Sequence, residues 1–225
     1  MDNDRGFLHR YFLSNGGKSC NKWIHYFDIY ERHLARFREK SPTLFEIGVR
    51  GGGSLSMWKS YFGHGAQIIG LDINPNCQQH ADDQIDVIIG DQSDSELLET
   101  IIADYGPIDI IIDDGSHKPR DVIRSFETLY NQMSPTGVYM IEDTHTSYWS
   151  NYGGGLKARG SVVEYAKDRA DELTASLSRG AVTPTHITET TDSLSFYDSM
   201  IVFERRSQGE RQSFITHGMD RSASD

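Results

Sequence analysis

The sequence has 225 residues, a formal net charge of −11 and only two cysteines, and these properties exclude several classes of protein. A chain of this length has room for one domain with a sizeable core. An acidic chain lacks the basic face that binds a nucleic-acid backbone, so we expect no nucleic-acid partner. Two cysteines do not form a disulfide framework, which makes the cytoplasm the simplest location.

Membrane and export signals are not evident in the sequence. The first ten residues, MDNDRGFLHR, lack the apolar core of a signal peptide. No stretch approaches the roughly 18 apolar residues that a membrane span needs. We therefore expect no membrane span.

Helical and apolar patterns then alternate along the chain. Apolar residues recur at spacings of three and four in residues 22–40, which predicts an amphipathic helix. Short apolar runs predict strands over residues 43–49, 67–73, 86–91, 108–114 and 137–143. Helices are predicted between and after them over residues 54–61, 93–105, 119–133 and 161–177. Continuous apolar strands joined by helices indicate a parallel sheet that is covered on both faces.

The end of the chain completes the predicted fold. Residues 187–205 read as two strands that finish the sheet as an antiparallel hairpin. The prediction is a single-domain, doubly wound, Rossmann-like α/β fold with a mostly parallel seven-stranded sheet. We expect residues 1–206 to form this domain, with an N-terminal helical segment, and residues 207–225 to form a flexible polar tail.

A cofactor site is predicted where the first three strands end, since ligands of such sheets bind at the carboxyl ends of the strands. Glycines after the first strand let the backbone approach a ligand, and a helix N-terminus then offers free N–H groups. Acids after the second and third strands suit a ribose diol and an adenine edge. The candidate cofactor-binding residues are Glu46, Gly48, Gly52, Ser54, Asp72, Asp91, Gln92 and Asp113.

The spacing of the glycines bears on which cofactor binds. A dinucleotide and S-adenosylmethionine both fit an acid after the second strand. Glu46, Gly48 and Gly52 match the form E-x-G-x-x-x-G of the first methyltransferase motif, whereas a dinucleotide fold usually has G-x-G-x-x-G. The spacing favours S-adenosylmethionine.

Acids and histidines follow the fourth and fifth strands, in the sequences DDGSH (113–117) and EDTHTSYW (142–149). Carboxylates packed together repel one another unless a cation neutralises them, and oxygen ligands suit Mg²⁺, with Mn²⁺ as an alternative. The candidate metal ligands are Asp114, Glu142 and Asp143, with His117 as the general base. Candidate substrate contacts are His145, Tyr148 and Trp149, although a ligand or packing role for His145 stays open.

Several stretches together resemble one family: KWIHYFDIYERHL, FEIGVRGGGSLSMWKSYF, IIGLDI, IDIIIDDGSH, IEDTHTSYW and SFYDSMIVFE. The sequence resembles the metal-dependent sugar O-methyltransferases of macrolide antibiotic biosynthesis, and it is similar to the related family named cephalosporin hydroxylase. The resemblance implies Mg²⁺ held by Asp114, Glu142 and Asp143, with His117 as base. One departure is N-K-W-I at residues 21–24, where family members often have D-K-W-G.

The resemblance implies methyl transfer to a sugar hydroxyl on a natural-product glycoside or a polysaccharide. Three alternatives stay open. A catechol or other small phenol presents hydroxyls in the same geometry. A hydroxylase needs redox iron, and its triad of two histidines and one carboxylate is not evident. The third alternative is a binding module that has the same fold but no catalytic activity. Homo-oligomer formation also stays open.

Overall fold

The computed structural model describes residues 6–215, and its centre is one sheet of seven strands. The strands are β1 (Thr43–Ile47), β2 (Gln67–Asp72), β3 (Ile85–Ile89), β4 (Ile110–Asp113), β5 (Val138–Ile141), β6 (Thr191–Tyr197) and β7 (Met200–Arg205). They lie in the order β3-β2-β1-β4-β5-β7-β6. The strands β1 to β5 pair in parallel, and β7 is antiparallel to both β5 and β6. The predicted sheet is confirmed.

Helices cover both faces of the sheet. Within the described residues the α-helices are α1 (Phe7–Leu13), α2 (Tyr26–Leu34), α3 (Gly53–Phe62), α4 (Ser95–Tyr105), α5 (Pro119–Leu129), α6 (Val162–Leu173) and α7 (His186–Thr190). The helix predicted from residue 22 begins at Tyr26, because the preceding residues run irregularly towards the strand ends. Helix α1 has no counterpart among the predicted elements. None of these helices is long and apolar enough to cross a membrane.

One strand prediction was wrong at its start, since residues 187–190 belong to helix α7. The Thr185 hydroxyl accepts a hydrogen bond from the Ile187 amide, and the Thr188 hydroxyl accepts one from the Thr185 amide at 3.0 Å. This capping box satisfies amide groups that a helix start leaves free, so the segment turns once before β6 begins. Residues 206–215 lack regular structure, and the rest of the predicted tail lies outside the described residues.

Alternate residues of each strand pack into two separate cores. Ile110 and Ile112 face the core that α2 and α3 cover, whereas Ile111 faces the core beneath α4, α5 and α6. This period of two places apolar side chains on both faces of the central strands. The chain order reverses between β1 and β4, where neighbouring crossover helices lie on opposite faces. The fold therefore opens a crevice at the carboxyl ends of β1 and β4.

Candidate active site

The loop from β1 into α3 passes very close to the loop that follows β4. Gly48 has a φ of 98°, and a Cβ added there would lie 2.1 Å from the carbonyl oxygen of Asp114. Gly52, with a φ of 70°, is the N-cap residue of α3. Side chains other than glycine rarely adopt such angles, and the contact at Gly48 leaves no space for one. The two loops therefore approach each other only because Gly48 has no side chain.

Asp72 organises the same loop from the end of β2. Its Oδ2 accepts hydrogen bonds from the Val49 and Arg50 amides, each at 2.9 Å, and its Oδ1 accepts one from the Asn74 amide. Partial burial would raise the pKa of Asp72, but the backbone hydrogen bonds from Arg50, Asn74 and Val49 lower it. Asp72 is therefore an ionised carboxylate at the edge of the crevice.

A cavity of about 710 Å³ occupies the crevice. Its volume lies within the roughly 300–1,000 Å³ that is usual for ligand pockets. The predicted cofactor-binding residues that line it are Gly48, Ser54, Asp72, Asp91 and Gln92. The irregular segment 19–22 forms another part of its wall. The cavity thus joins the ends of β1, β2 and β3 to the acidic ends of β4 and β5.

Three of the predicted catalytic and metal-binding residues converge at one end of this cavity. Asp114, His117 and Asp143 each direct one ligand atom to a place where these atoms lie within 4.8 Å of one another. His117 Nε2 lies 3.8 Å from Asp114 Oδ1 and 3.7 Å from Asp143 Oδ2. His117 and Asp143 have φ values of 56° and 52°, which side chains other than glycine adopt rarely and at a cost. The backbone is strained where the ligand atoms meet.

Glu142, the third predicted metal ligand, lies behind this cluster and is paired with a buried lysine. Lys22 Nζ lies 2.9 Å from Glu142 Oε2, 2.7 Å from Asp114 Oδ2 and 3.4 Å from Glu46 Oε1. Tyr30 also donates a hydrogen bond of 2.5 Å to Glu142 Oε1. The Lys22 side chain is only 2% exposed.

The charges in this buried cluster depend on one another. Burial alone would lower the pKa of Lys22, but the carboxylates of Asp114 and Glu142 raise it well above its usual value. Burial raises the pKa of Glu142, against the opposing effect of Lys22. Lys22 is therefore a fixed ammonium ion that neutralises carboxylates from β1, β4 and β5.

Asp143 is held in place from the segment before α2. Its Oδ1 accepts hydrogen bonds from Trp23 Nε1 at 3.1 Å and from the Tyr26 hydroxyl at 2.9 Å. The Tyr26 oxygen accepts a hydrogen bond from the Asp143 amide at 3.1 Å. The other carboxylate oxygen of Asp143, Oδ2, faces His117. The N-terminal segment thus sets the orientation of a carboxylate that follows β5.

Three predicted cofactor residues do not line the cavity. Gly52 is the N-cap residue of α3, and the side chains of Glu46 and Asp113 point into the protein interior. Glu46 accepts a hydrogen bond of 3.2 Å from Trp58 Nε1 and is fully buried. Asp113 accepts hydrogen bonds from Gln92, from the Ser125 hydroxyl at 2.7 Å and from Tyr139. Both carboxylates therefore form their hydrogen bonds within the protein interior.

Gln92 links Asp113 to the loop after β4. Its Nε2 donates to Asp113 Oδ1 at 3.1 Å, while its Oε1 accepts a 2.6 Å hydrogen bond from the Ser116 amide. The amide group therefore already has partners on both sides. This arrangement fixes the turn that carries His117.

A row of aromatic rings leads away from Asp143 across the surface. The ring centroids of Trp23 and His145 are 6.0 Å apart, and those of His145 and Trp149 are 4.8 Å apart. Trp149 is 6.0 Å from Tyr152 in turn. Trp23 and Trp149 are 54% and 48% exposed, which leaves large apolar faces in contact with solvent. Tyr148, also predicted as a substrate contact, is 51% exposed and has no ring partner among the described residues.

Sequence reasoning missed the contribution of α2 and of the segment directly before it. Lys22, Trp23, Tyr26 and Tyr30 all contact the predicted acids, although the sequence indicated only an amphipathic helix there. One available signal was a lysine placed directly before a run of aromatic residues. A lysine in such an apolar setting needs an acidic partner.

Comparisons with known proteins identify methyltransferases that are similar to this chain. Residues 45–144 match the family model described as a methyltransferase domain. The chain is 38% identical, over 198 residues, to a tetracenomycin rhamnosyl 2'-O-methyltransferase of Streptomyces olivaceus, covering 83% of this chain and 52% of the relative. It is 44% identical, over 154 residues, to mycinamicin VI 2''-O-methyltransferase of Micromonospora griseorubida, covering 64% of this chain and 37% of the relative. The chain thus spans about half the length of these relatives, or less.

A solved structure is similar as well. It is the MycE methyltransferase of the mycinamycin biosynthetic pathway in complex with Mg, SAH and mycinamycin VI. The TM-score is 0.80 with 32% identity, over 96% of this chain and 58% of that chain. Residues 45–144 therefore match a methyltransferase domain, and the chain shares its Rossmann-like fold with a sugar O-methyltransferase of antibiotic biosynthesis.

Proposed function

We propose that this chain transfers a methyl group from S-adenosylmethionine to a hydroxyl group of a sugar, with a divalent metal, Mg²⁺ or Mn²⁺, held by the carboxylates of the cluster that Asp114, His117 and Asp143 form. The observation that carries the proposal is the convergence of these three side chains at one end of a cavity of about 710 Å³. The similarity to sugar O-methyltransferases supports both the reaction and the acceptor class.

The cavity offers the groups that this cofactor needs. The glycine loop at Gly48 gives the backbone close access, and Asp72 at the end of β2 is an acceptor for a ribose diol. Asp91 lines the cavity after β3, where the adenine is expected. A cofactor held in this way would have its methyl group at the end of the cavity where His117 and the two acids converge.

The donor atoms at the cluster fit a hard divalent cation. Carboxylate oxygens of Asp114 and Asp143 lie within 4.8 Å of one another and face the cavity. We propose these two carboxylates as metal ligands. Glu142 stays the third proposed ligand, although it contributes only if its carboxylate turns from Lys22 towards the cluster. When bound, the ion would lower the pKa of the acceptor hydroxyl and fix its direction.

His117 is the proposed base. Its Nε2 lies between Asp114 and Asp143, and it takes the proton from the acceptor hydroxyl. The hydroxyl oxygen bonds to the methyl carbon as the bond between that carbon and the sulfonium sulfur breaks, and S-adenosylhomocysteine is the leaving group. The strained backbone at His117 fixes the direction of this ring. The protein's main contribution is alignment, which is worth about 7–11 kcal/mol in well-oriented reactions.

A substrate panel tests the proposal. The purified chain is incubated with S-adenosylmethionine, Mg²⁺ and either glycosides with vicinal hydroxyls or catechols, and methylated products are measured by mass spectrometry. We expect glycosides to be methylated. Methylation of catechols alone would favour a small-phenol methyltransferase, and cofactor binding without turnover of any acceptor would favour a binding module. Cytoplasmic location and homo-oligomer formation remain predictions from the sequence.

A further inference from the structure

A second cavity, of about 570 Å³, lies next to the proposed catalytic site. Lys118, Arg120, Arg124, Ile123 and Tyr152 line it, and we call it the basic groove. Lys118 lines the cofactor cavity as well, so the two cavities meet beside His117. Nothing in the proposed reaction accounts for a groove of this charge.

The three cations of the basic groove form no close ion pair with a described residue, although the charges of Lys118 and Arg120 contribute to lowering the pKa of Asp91. Lys118, Arg120 and Arg124 are exposed, and none of them forms an ion pair with any of residues 6–215. Arg120 and Arg124 are four residues apart on α5, so they share one face of the helix and repel each other. Glu127 also lines the groove, where it accepts a hydrogen bond of 3.5 Å from the Tyr165 hydroxyl.

The neighbouring loop adds to this positive charge. The segment GGGLKARG (153–160) has its first and last glycines in the groove wall, and it contains two further basic residues and no acid. The whole chain carries a net charge of −11, so most of its surface repels anions. A local concentration of unpaired cations in an acidic protein therefore selects for an anionic ligand.

The aromatic row connects the groove to the proposed site of methyl transfer. Trp23 donates to Asp143, and the rings of His145, Trp149 and Tyr152 follow it in sequence across the surface. Tyr152 is both the last ring of this row and a wall of the groove. The aromatic row therefore runs from a residue that contacts Asp143 to a residue in the wall of the basic groove.

We propose that the basic groove binds an oxyanion carried by the acceptor, so that the substrate is an anionic sugar with a phosphate or carboxylate group. Arginine side chains bind such groups with two parallel hydrogen bonds, which fixes the orientation of the sugar as well as its charge. This inference rests on the proposed function and names its substrate class. It assigns Arg120 and Arg124 to specificity and not to the chemical step.

Binding of small probes tests the groove directly. With S-adenosylhomocysteine filling the cofactor cavity, binding of glucose 1-phosphate, glucuronic acid and methyl glucoside is measured by calorimetry or NMR titration. We expect at least one anionic probe to bind more tightly than methyl glucoside, with an affinity that falls as salt is added. Preference for glucose 1-phosphate identifies a phosphorylated sugar as the source of the anion, and preference for glucuronic acid identifies an acidic glycan.

A pair of matched variants separates the groove from net charge. R120Q/R124Q removes two positive charges from the groove, whereas R206Q/R211Q removes two from exposed positions outside both cavities. We expect the first variant to weaken the preferred anionic probe by at least about tenfold, and the second to leave its affinity unchanged. Methyl glucoside should bind with the same affinity to the wild type and to both variants.

Two results would overturn this inference. Either no anionic probe binds better than methyl glucoside, or R120Q/R124Q and R206Q/R211Q weaken the anionic probe equally. The proposed methyl transfer is judged separately by turnover. Methylation of neutral glycosides without any effect of R120Q/R124Q would leave the function standing and reject the anionic acceptor. Binding that depends on these arginines, without turnover of any acceptor, would support the anion site and reject the proposed methyl transfer.

Discussion

Lys22→Met removes the ammonium ion that neutralises the buried acids, and its effect can be estimated from the contacts. Lys22 Nζ contacts Asp114, Glu142 and Glu46 at distances between 2.7 and 3.4 Å, and its side chain is 2% exposed. The variant leaves Glu142 and Glu46 buried without their cation. Removing one partner of a buried ion pair costs about 3–5 kcal/mol.

That loss corresponds to a measurable fall in melting temperature. For a domain of this size each kcal/mol shifts Tm by about 2–4 °C, so Lys22→Met should lower it by roughly 6–20 °C. The assay is thermal unfolding followed by circular dichroism, in chelator, so that no divalent ion replaces the lysine. The control is Lys59→Met, since Lys59 forms surface pairs with Asp82 and Asp83 that are worth about 0–1 kcal/mol.

A second substitution tests the cause of the loss. Lys22→Met combined with Glu142→Gln removes one of the acids that the single variant leaves unpaired. The double variant should therefore be more stable than Lys22→Met alone. A single variant that melts within about 2 °C of the wild type, which corresponds to about 1 kcal/mol or less, would refute the view that Lys22 neutralises this cluster.

The remaining predictions concern the cluster and the glycine loop. His117→Ala should lower turnover by about 10²–10⁴-fold with little change in S-adenosylmethionine affinity by calorimetry; equal loss of both would indicate a structural histidine. Chelation should abolish turnover, and added Mg²⁺ or Mn²⁺ should restore it in the wild type but not in Asp114→Ala; activity that survives chelator contradicts the metal assignment. Gly48→Ala should destabilise the fold by at least about 1–3 kcal/mol in urea unfolding, because its Cβ meets the carbonyl oxygen of Asp114; a wild-type midpoint would contradict this contact.

Most of the sheet follows from local patterns in the sequence. The runs that became β1 to β5 are rich in apolar residues, because helices cover both faces of the sheet. The strand predicted from residue 187 failed because a capping box at Thr185 outweighs the β-branched residues that follow it. That outcome depends on hydrogen bonds between neighbouring residues, which a count of apolar positions does not register.

The site was predictable only where its residues lie at strand ends. Asp114, His117 and Asp143 follow β4 and β5, so the parallel sheet alone brings them to one edge. Lys22 contacts acids that lie 24, 92 and 120 residues further along the chain. Its role depends on how the irregular segment before α2 crosses the strand ends, and no local pattern encodes that path. The inward direction of Asp113 likewise depends on its distant partners Gln92 and Tyr139.

The segment before α2 also sets a limit on where this protein can be divided. The family match covers residues 45–144, yet Lys22 and Trp23 lie outside it on one side and β7 on the other. A fragment trimmed to that match would leave Glu142 without its cation and Asp143 without its tryptophan. It would also turn β5 into an open edge strand, which invites pairing with other chains. The smallest unit that folds and carries an ordered site therefore extends well beyond the region by which its family is identified.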